Sequence, residues 1–324
     1  MPKAAVSEQE FMRLFEELQS PTAVAKAIGI DVRNVHDRRR VLERKHTWRA
    51  PIYDARRPQY NTAPVHSANK AIVSWNIENG VILVGSDAHI WPGPLTCVQR
   101  AFLYFVKHYD PAPVAIVANG DWFDGAKAGR FPSIGFMETG KPRIKDELDA
   151  MQAYMGDIEK NTRGAKLFWP LGNHDLRYES KLAAMVPEYE DIGGMHLKDH
   201  FPLWTPCWRL DINDDLVIKH RWANGLHAVY NNTLRSGKSF VTGHLHSLKV
   251  TPWTDYNGTR YGVDCGTMSD PDLDQFVHYT EANPTNWRSG FVVLTVKDGK
   301  LMQPELVQKW DEKHVEYRGQ LIKV

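Results

Sequence analysis

The chain has 324 residues, with 40 Lys and Arg against 39 Asp and Glu and a net charge of +1, which excludes attraction to a polyanion by overall charge and leaves it to a local patch. Its length suggests one large domain plus a small one, and no apolar run approaches the roughly 20 residues of a membrane span. The amino terminus has no apolar signal core, and Cys97, Cys207 and Cys265 are widely separated with no paired spacing, so the expected location is a reducing cytoplasm without disulfides.

Residues 1–49 read as a small helical module. Phe11, Met12, Leu14, Phe15 and Leu18 fall at helical spacing within Glu8 to Leu18. Ser20-Pro21-Thr22 offers a cap and a proline at a helix start, followed by Ala23 to Ile28, which Gly29 stops. Asp31 can cap a third helix, Val32 to Arg44. Ala25, Gly29 and Val35 resemble the helix-turn-helix signature: a small residue for close contact, a glycine in the turn and an apolar anchor in the second helix. That resemblance implies a helix in a major groove, with Arg33, Asn34, His36, Arg38, Arg39 and Arg40 on its outer face and DNA as the partner. The bland alternative is a trihelical module for assembly, with its arginines merely solvated.

Residues 50–70 carry Pro51, Pro58, Pro64, Arg56 and Arg57 with few aliphatics and read as an extended linker. Residues 71–324 then form the main domain. Ala71 to Ile77, the turn Glu78-Asn79-Gly80 and Val81 to Val84 read as an opening hairpin. Helices are expected over Leu95 to Tyr109, Ile144 to Asn161, Lys181 to Met185 and Ala228 to Arg235. Later strands are expected at Trp208 to Ile212, Leu216 to His220, Phe240 to Thr242, Lys249 to Thr254, Thr259 to Val263, Phe291 to Val296 and Leu301 to Val307.

Four polar segments each follow an apolar, β-rich run. Asp87-Ala88-His89 follows Val81 to Val84, and Gly120-Asp121-Trp122-Phe123-Asp124 follows Val114 to Val117. Gly172-Asn173-His174-Asp175 follows Leu167-Phe168-Trp169, and Gly243-His244-Leu245-His246 follows Phe240-Val241. This places carboxylates, imidazoles and one carboxamide on loops leaving strand ends, where open α/β sheets hold ligands. Hard oxygen donors mixed with imidazole suit Mn, Fe or Zn. A phosphodiester resists hydrolysis because its charge repels nucleophiles and its alkoxide leaves poorly. Two ions about 3.5–4 Å apart address both, by generating hydroxide near neutral pH and neutralising the phosphoryl charge. Asp121 is the natural bridge, having two oxygens and a negative charge. Asn173 offers a neutral carbonyl oxygen, His174 a general acid or a cation beside the leaving oxygen, and Asp175 a hydrogen bond that holds the imidazole tautomer. Asp124 is open between binding a ligand or water beside the metals and capping its own loop.

The order DxH, GDxxD, GNHD, a lone His and GHxH resembles the calcineurin-like metallophosphoesterases over roughly residues 80–300. The resemblance implies an α/β fold, a four-layer α-β-β-α sandwich of two mixed sheets flanked by helices. It implies two divalent ions as cofactors, most simply Mn, with Fe or Zn as options. Asp87, His89, Asp121 and His246 would hold one ion, and Asp121, Asn173, His220 and His244 the other. His174 would be the catalytic histidine and Asp175 its orienting carboxylate. His220 ends the run Leu216 to Lys219 as a strand-end ligand should, although Arg221 follows where the family commonly has glycine. His227 is its rival.

The expected activity is phosphodiester hydrolysis, foremost of DNA. The alternatives are a nucleotide or other small phosphodiester, or a DNA-binding regulator with an accessory site. GDWFDG lacks the arginine that protein phosphatases usually carry after GDxxD. Lys127, Arg130, Lys141, Arg143 and Lys145 offer a basic rim for a polyanion, against the plainer reading of an exposed charged loop. Trp222 and Trp122 are the aromatics given a substrate role.

Overall fold

The computed structural model describes residues 6–51, 70–129, 140–189, 191–273, 275–276, 280–281 and 283–324. Most of the expected linker, with Arg130 of the expected rim, lies outside the described residues. Two compact units result, Met1–Ala63 and Pro64–Val324.

The first unit is three helices: α1 (Glu8–Leu18), α2 (Pro21–Ile28) and α3 (Val32–Lys45). Each starts on a side-chain cap, with Ser7 accepting from Glu10 N, Ser20 from Ala23 N and Asp31 from Arg33 N. Gly29 closes α2 in the left-handed region at φ 71°, the conformation in which glycine alone has no side-chain penalty. Phe11, Phe15, Val24, Ala25, Ile28, Val35 and Leu42 form the core. The outer face of α3 is narrower than its sequence suggests. Arg38 lies over the Phe11 ring at 4.7 Å and donates to the Val6 carbonyl. Arg39 lies half-buried with its Nε 3.7 Å from Glu43, and His36 is also partly buried. Long cationic stems cover apolar surface here, so of the six expected contacts Arg33, Asn34 and Arg40 stay exposed, with Arg44 beyond, and Asp37 lies 3.7 Å from Arg40 on the same face.

The second unit has the expected mixed α/β architecture. Strands β2 (Gly80–Gly85), β3 (Ala115–Ala118) and β4 (Lys166–Pro170) run parallel, joined by α4 (Cys97–His108) and α5 (Ile144–Glu159). Then come α6 (Asp175–Met185), β5 (Thr205–Ile212), β6 (Leu216–Ile218), α7 (Ala228–Ser236) and β7 (Ser239–Thr242). β8 (Lys249–Asp255), β9 (Gly258–Asp264) and β10 (Gly290–Lys297) complete the two halves.

The two halves form one hydrogen-bonded path that turns at β5. Thr205 to Cys207 pair with β4, whereas Leu210 to Ile212 pair with β6. Alternation along β2 sorts the layers. Val81 and Leu83 pack under α4 and α5, and Ile82 and Val84 face the inner core shared with Ile218, Val241 and Val263 of the other half. On the far side α7 packs on β7 and β9, where a Cβ at Gly262 would collide with Val229 and Thr233. The layers are therefore helix, sheet half, sheet half, helix.

Several boundaries differ from expectation. The opening segment β1 (Lys70–Trp75) pairs in parallel with β5 rather than forming a hairpin with β2. The connection is claimed by other partners: Asn213 hydrogen-bonds both the N–H and the carbonyl of Ile77, and Asn79 accepts from Asp298 N. α6 starts six residues earlier than Lys181. The expected last strand divides into β11 (Lys300–Leu301) and β12 (Glu305–Lys309) around Pro304, which has no N–H for the ladder. β13 (His314–Tyr317) and β14 (Gln320–Lys323) were not anticipated. Among the described residues, no helix is long and apolar enough to cross a membrane.

Candidate metal centre

The polar motifs lie at the carboxyl ends of β2, β3, β4, β6 and β7, where successive loops are stitched by backbone bonds. Asp87 N donates to Gly120 O, His89 N to Asp121 O, and Gly243 N to His220 O. Two glycines make room for this convergence. A Cβ at Gly172 would run into the Asp121 carboxylate, and one at Gly243 into Ser86 and Asp87. Asp87, His89, Asp121, His244 and His246 all adopt left-handed φ values between 41° and 71°. Non-glycine residues rarely accept that conformation, and such strain gathers where side chains must be aimed at a site.

Three clusters of His and Asp side chains result among the described residues; His89, Asp124 and His174 form one, joined by hydrogen bonds, and the other two match the expected metal sites. In one of these two, the side-chain donors of Asp87, His89 and His246 lie within 4.8 Å of one another; in the other, so do those of Asp121, His220 and His244. The groups adjoin: His220 Nε2 is 3.1 Å from Asp121 Oδ2 and 4.0 Å from Asp87 Oδ1. His246 Nε2 lies 3.0 Å from Asp87 Oδ1. His227 belongs to neither group and precedes α7.

Electrostatics and unmet hydrogen bonds fit cations. Asn173 Oδ1 and His89 Nε2 are buried without hydrogen-bond partners, a state that polar atoms avoid unless something else satisfies them. His220 donates Nδ1–H to the Asn119 carbonyl at 2.8 Å, which turns Nε2 toward the carboxylates. Burial opposes its charge, yet Asp121 and Asp87 raise its pKa to about 10, so a bound cation would replace a proton there. Burial and the neighbouring His220 lower His244 to about 4, leaving it neutral and able to donate a lone pair.

The structure changes the roles of two carboxylates. His174 Nδ1 lies 2.7 Å from Asp124 Oδ1, which also takes His89 Nδ1 at 3.2 Å, while Asp124 Oδ2 accepts from Trp91 Nε1. Burial works against the Asp124 charge, but the bonds from His174 and His89 hold its carboxyl well below the usual range. Asp124, not Asp175, is therefore the carboxylate on His174. Asp175 points backwards from the first turn of α6. It accepts from the N–H groups of Asp121, Phe123 and Gly172 and from the Trp169 indole, so it braces two motif loops. Adjacency in sequence misled because a helix turns successive side chains about 100° apart.

Trp122 is also reassigned: it is fully buried, packs on Phe102, Tyr154 and Trp204, and donates to the Gly85 carbonyl. Trp222 remains exposed. Arg143 and Lys145 of the expected rim pair with Asp146 and Asp149 on α5, which spends their charge locally.

Two residues escaped the motif reading. Arg177 lies beside His174, and Glu147 of α5 accepts from Gly125 N at 2.7 Å and Ala126 N at 3.0 Å, holding the loop that carries Asp124. Burial and the Asp124 charge push the Glu147 carboxyl up to about 8. Neither residue belongs to a spaced motif; only its fold neighbours reveal it. Glu147→Ala strands both N–H groups and is expected to cost about 1–3 kcal/mol, measured as a lower denaturant midpoint; an unchanged midpoint would show that the loop holds itself.

No protein-family model matches the sequence. The chain is 26% identical over 223 residues to the Gene 54 protein of Mycobacterium phage L5, covering 61% of this chain and 82% of that one. It is 28% identical over 228 residues to the Gene 54 protein of Mycobacterium phage D29, with the same coverage. Among solved structures it is similar to Vps29 complexed with zinc from Entamoeba histolytica, at 12% identity and a TM-score of 0.38 over 75% of this chain and 98% of that one. A second similar structure is a protein serine/threonine phosphatase from Saccharomyces cerevisiae, at 12% identity and a TM-score of 0.36 over 75% of this chain and 85% of that one.

Proposed function

We propose that the chain is a two-metal phosphodiesterase acting on DNA. The observation that carries the enzymatic part is the pair of adjoining donor groups, with Asp121 facing His220 and the carboxamide oxygen of Asn173 buried without a partner. In this reading Asp87, His89, Asp121 and His246 hold one divalent ion, and Asp121, Asn173, His220 and His244 the other. Such a pair of ions supplies hydroxide near neutral pH and offsets phosphoryl charge. The chain's own residues do the rest. Asp124 orients His174, and His174 provides the proton for the leaving oxygen. Asp175 and Glu147 hold the loops in register.

The DNA part rests on the capped three-helix unit and the exposed cations of its third helix, which suit backbone phosphates. A second reading, a nucleotide or other small phosphodiester as substrate, is favoured by the loss of Arg38 and Arg39 to packing within that unit.

One experiment separates the two. Metal-stripped, Mn-reloaded full chain is incubated with linear and covalently closed circular DNA and with a chromogenic diester. Loss of DNA is expected, and cutting of the closed circle would make the enzyme an endonuclease. Replacing Arg33, Arg40 and Arg44 together should weaken DNA binding and reduce its salt slope by about 0.9 for each phosphate no longer neutralised, while the small diester is turned over as before. Intact DNA beside rapid diester hydrolysis would give the second reading the substrate.

A further inference from the structure

Arg177 occupies an unusual position. Three residues beyond His174 on α6, it places Nη2 2.7 Å from His174 Nε2, with Nη1 donating to the Asp124 carbonyl at 2.9 Å and 3.5 Å from its Oδ1. Guanidinium can only donate, so Nε2 of His174 is accepting and its Nδ1–H is donated to Asp124. The outer nitrogen of the histidine is thus occupied by the protein itself.

This is a poor resting partner for an arginine. An imidazole lone pair carries no charge, and Asp124 already takes bonds from His174, His89 and Trp91. A planar fork of N–H donors is instead matched by two oxygens of a phosphoryl group. The group is within reach of the centre, since His174 Nε2 is 3.9 Å from Asp121 Oδ2, and about a fifth of the Arg177 side chain is open to solvent. Its stem is held in place. Gly125, at φ 62°, leaves room for it, because a Cβ there would lie 3.2 Å from Arg177 Cβ and 3.5 Å from Cδ. Glu147 fixes that glycine by its N–H.

We infer that Arg177 binds the phosphoryl group of the substrate, exchanging His174 Nε2 for a non-bridging oxygen; the inference rests on the phosphoesterase reading above. Binding then does two things at once. It anchors the anion, and it frees Nε2 of His174, until then an acceptor, to take up a proton from solvent that it can pass to the leaving oxygen, while Nδ1–H stays on Asp124.

The test uses full-length, Mn-loaded protein and inorganic phosphate as the probe, titrated by calorimetry against wild type, Arg177→Met and Arg177→Lys. Manganese content and thermal midpoint are measured alongside. Arg177→Met should weaken phosphate binding about tenfold to 100-fold, the range for loss of a charge-assisted hydrogen bond, and raise KM for a chromogenic diester in parallel. Manganese content should not change. Arg177→Lys should recover part of the affinity through its charge without its fork. Should Arg177→Met fail to fold, a Lys variant with wild-type affinity and KM would overturn the inference. So would a folded Met variant that keeps both within about twofold while kcat falls, because Arg177 would then only position His174. Wild-type protein that takes up manganese but neither binds phosphate nor cleaves a diester would bring down the phosphoesterase reading itself, and this inference with it.

Discussion

Asp121→Asn is expected to remove hydrolysis of DNA and of a chromogenic diester alike, with the fold intact. Asp121 Oδ1 accepts from the His174 N–H at 2.7 Å, and Oδ2 lies 3.1 Å from His220 Nε2. Asparagine keeps an acceptor for the first of these, which is why folding should survive. It turns an N–H₂ toward the second and removes the negative charge that, on the proposed reading, would serve both ions. Loss of an outer partner of a metal ligand already costs roughly 10–100-fold in affinity or activity, and loss of a carboxylate that itself holds metal should exceed that. Metal analysis of the dialysed variant should show fewer ions per chain than wild type. Full activity, or an undiminished metal content, would sink the two-metal centre.

The parts of this centre legible in sequence were those fixed by local rules. Strand ends could be read because β2, β3 and β4 are short, apolar and parallel, so the polar residues after them had to emerge at one edge of the sheet. The three amino-terminal helices could be read from the apolar spacing of Phe11 to Leu18 and from Ser20, Gly29 and Asp31, whose capping chemistry is local. What stayed hidden was set by contacts distant in sequence or by rotation about a helix. The pairing of β1 with β5 depends on Asn213 claiming Ile77 from 136 residues away. The exchange of roles between Asp124 and Asp175 depends on which side of α6 each one meets. Arg38 reads as a surface cation until Phe11 and Val6 are placed beside it. The left-handed φ of five candidate ligands has no counterpart in residue type at all, since none of them is a glycine.

His174→Ala should lower kcat by about 100- to 10,000-fold, the usual contribution of a positioned acid or base, while both ions stay bound. The side chain is partly exposed, and its Nδ1 is bonded to Asp124 and its Nε2 to Arg177. No ion is therefore needed to explain its position, and its removal should leave metal analysis unchanged. The informative partner is Asp124→Asn. Asparagine keeps the size of the side chain but can present an N–H₂ where His174 offers its own Nδ1–H, so the imidazole must rotate or change tautomer. If Asp124 works through His174, the double variant should be no slower than His174→Ala alone, since residues that act as a unit do not add. Losses that multiply instead would mean that Asp124 acts separately, through its bond to His89 and the first donor group. Asp175→Asn distinguishes the two carboxylates. Its bonds go to N–H groups of three loop residues and an indole, so it should lower the thermal midpoint, and its effect on kcat should persist in the His174→Ala background.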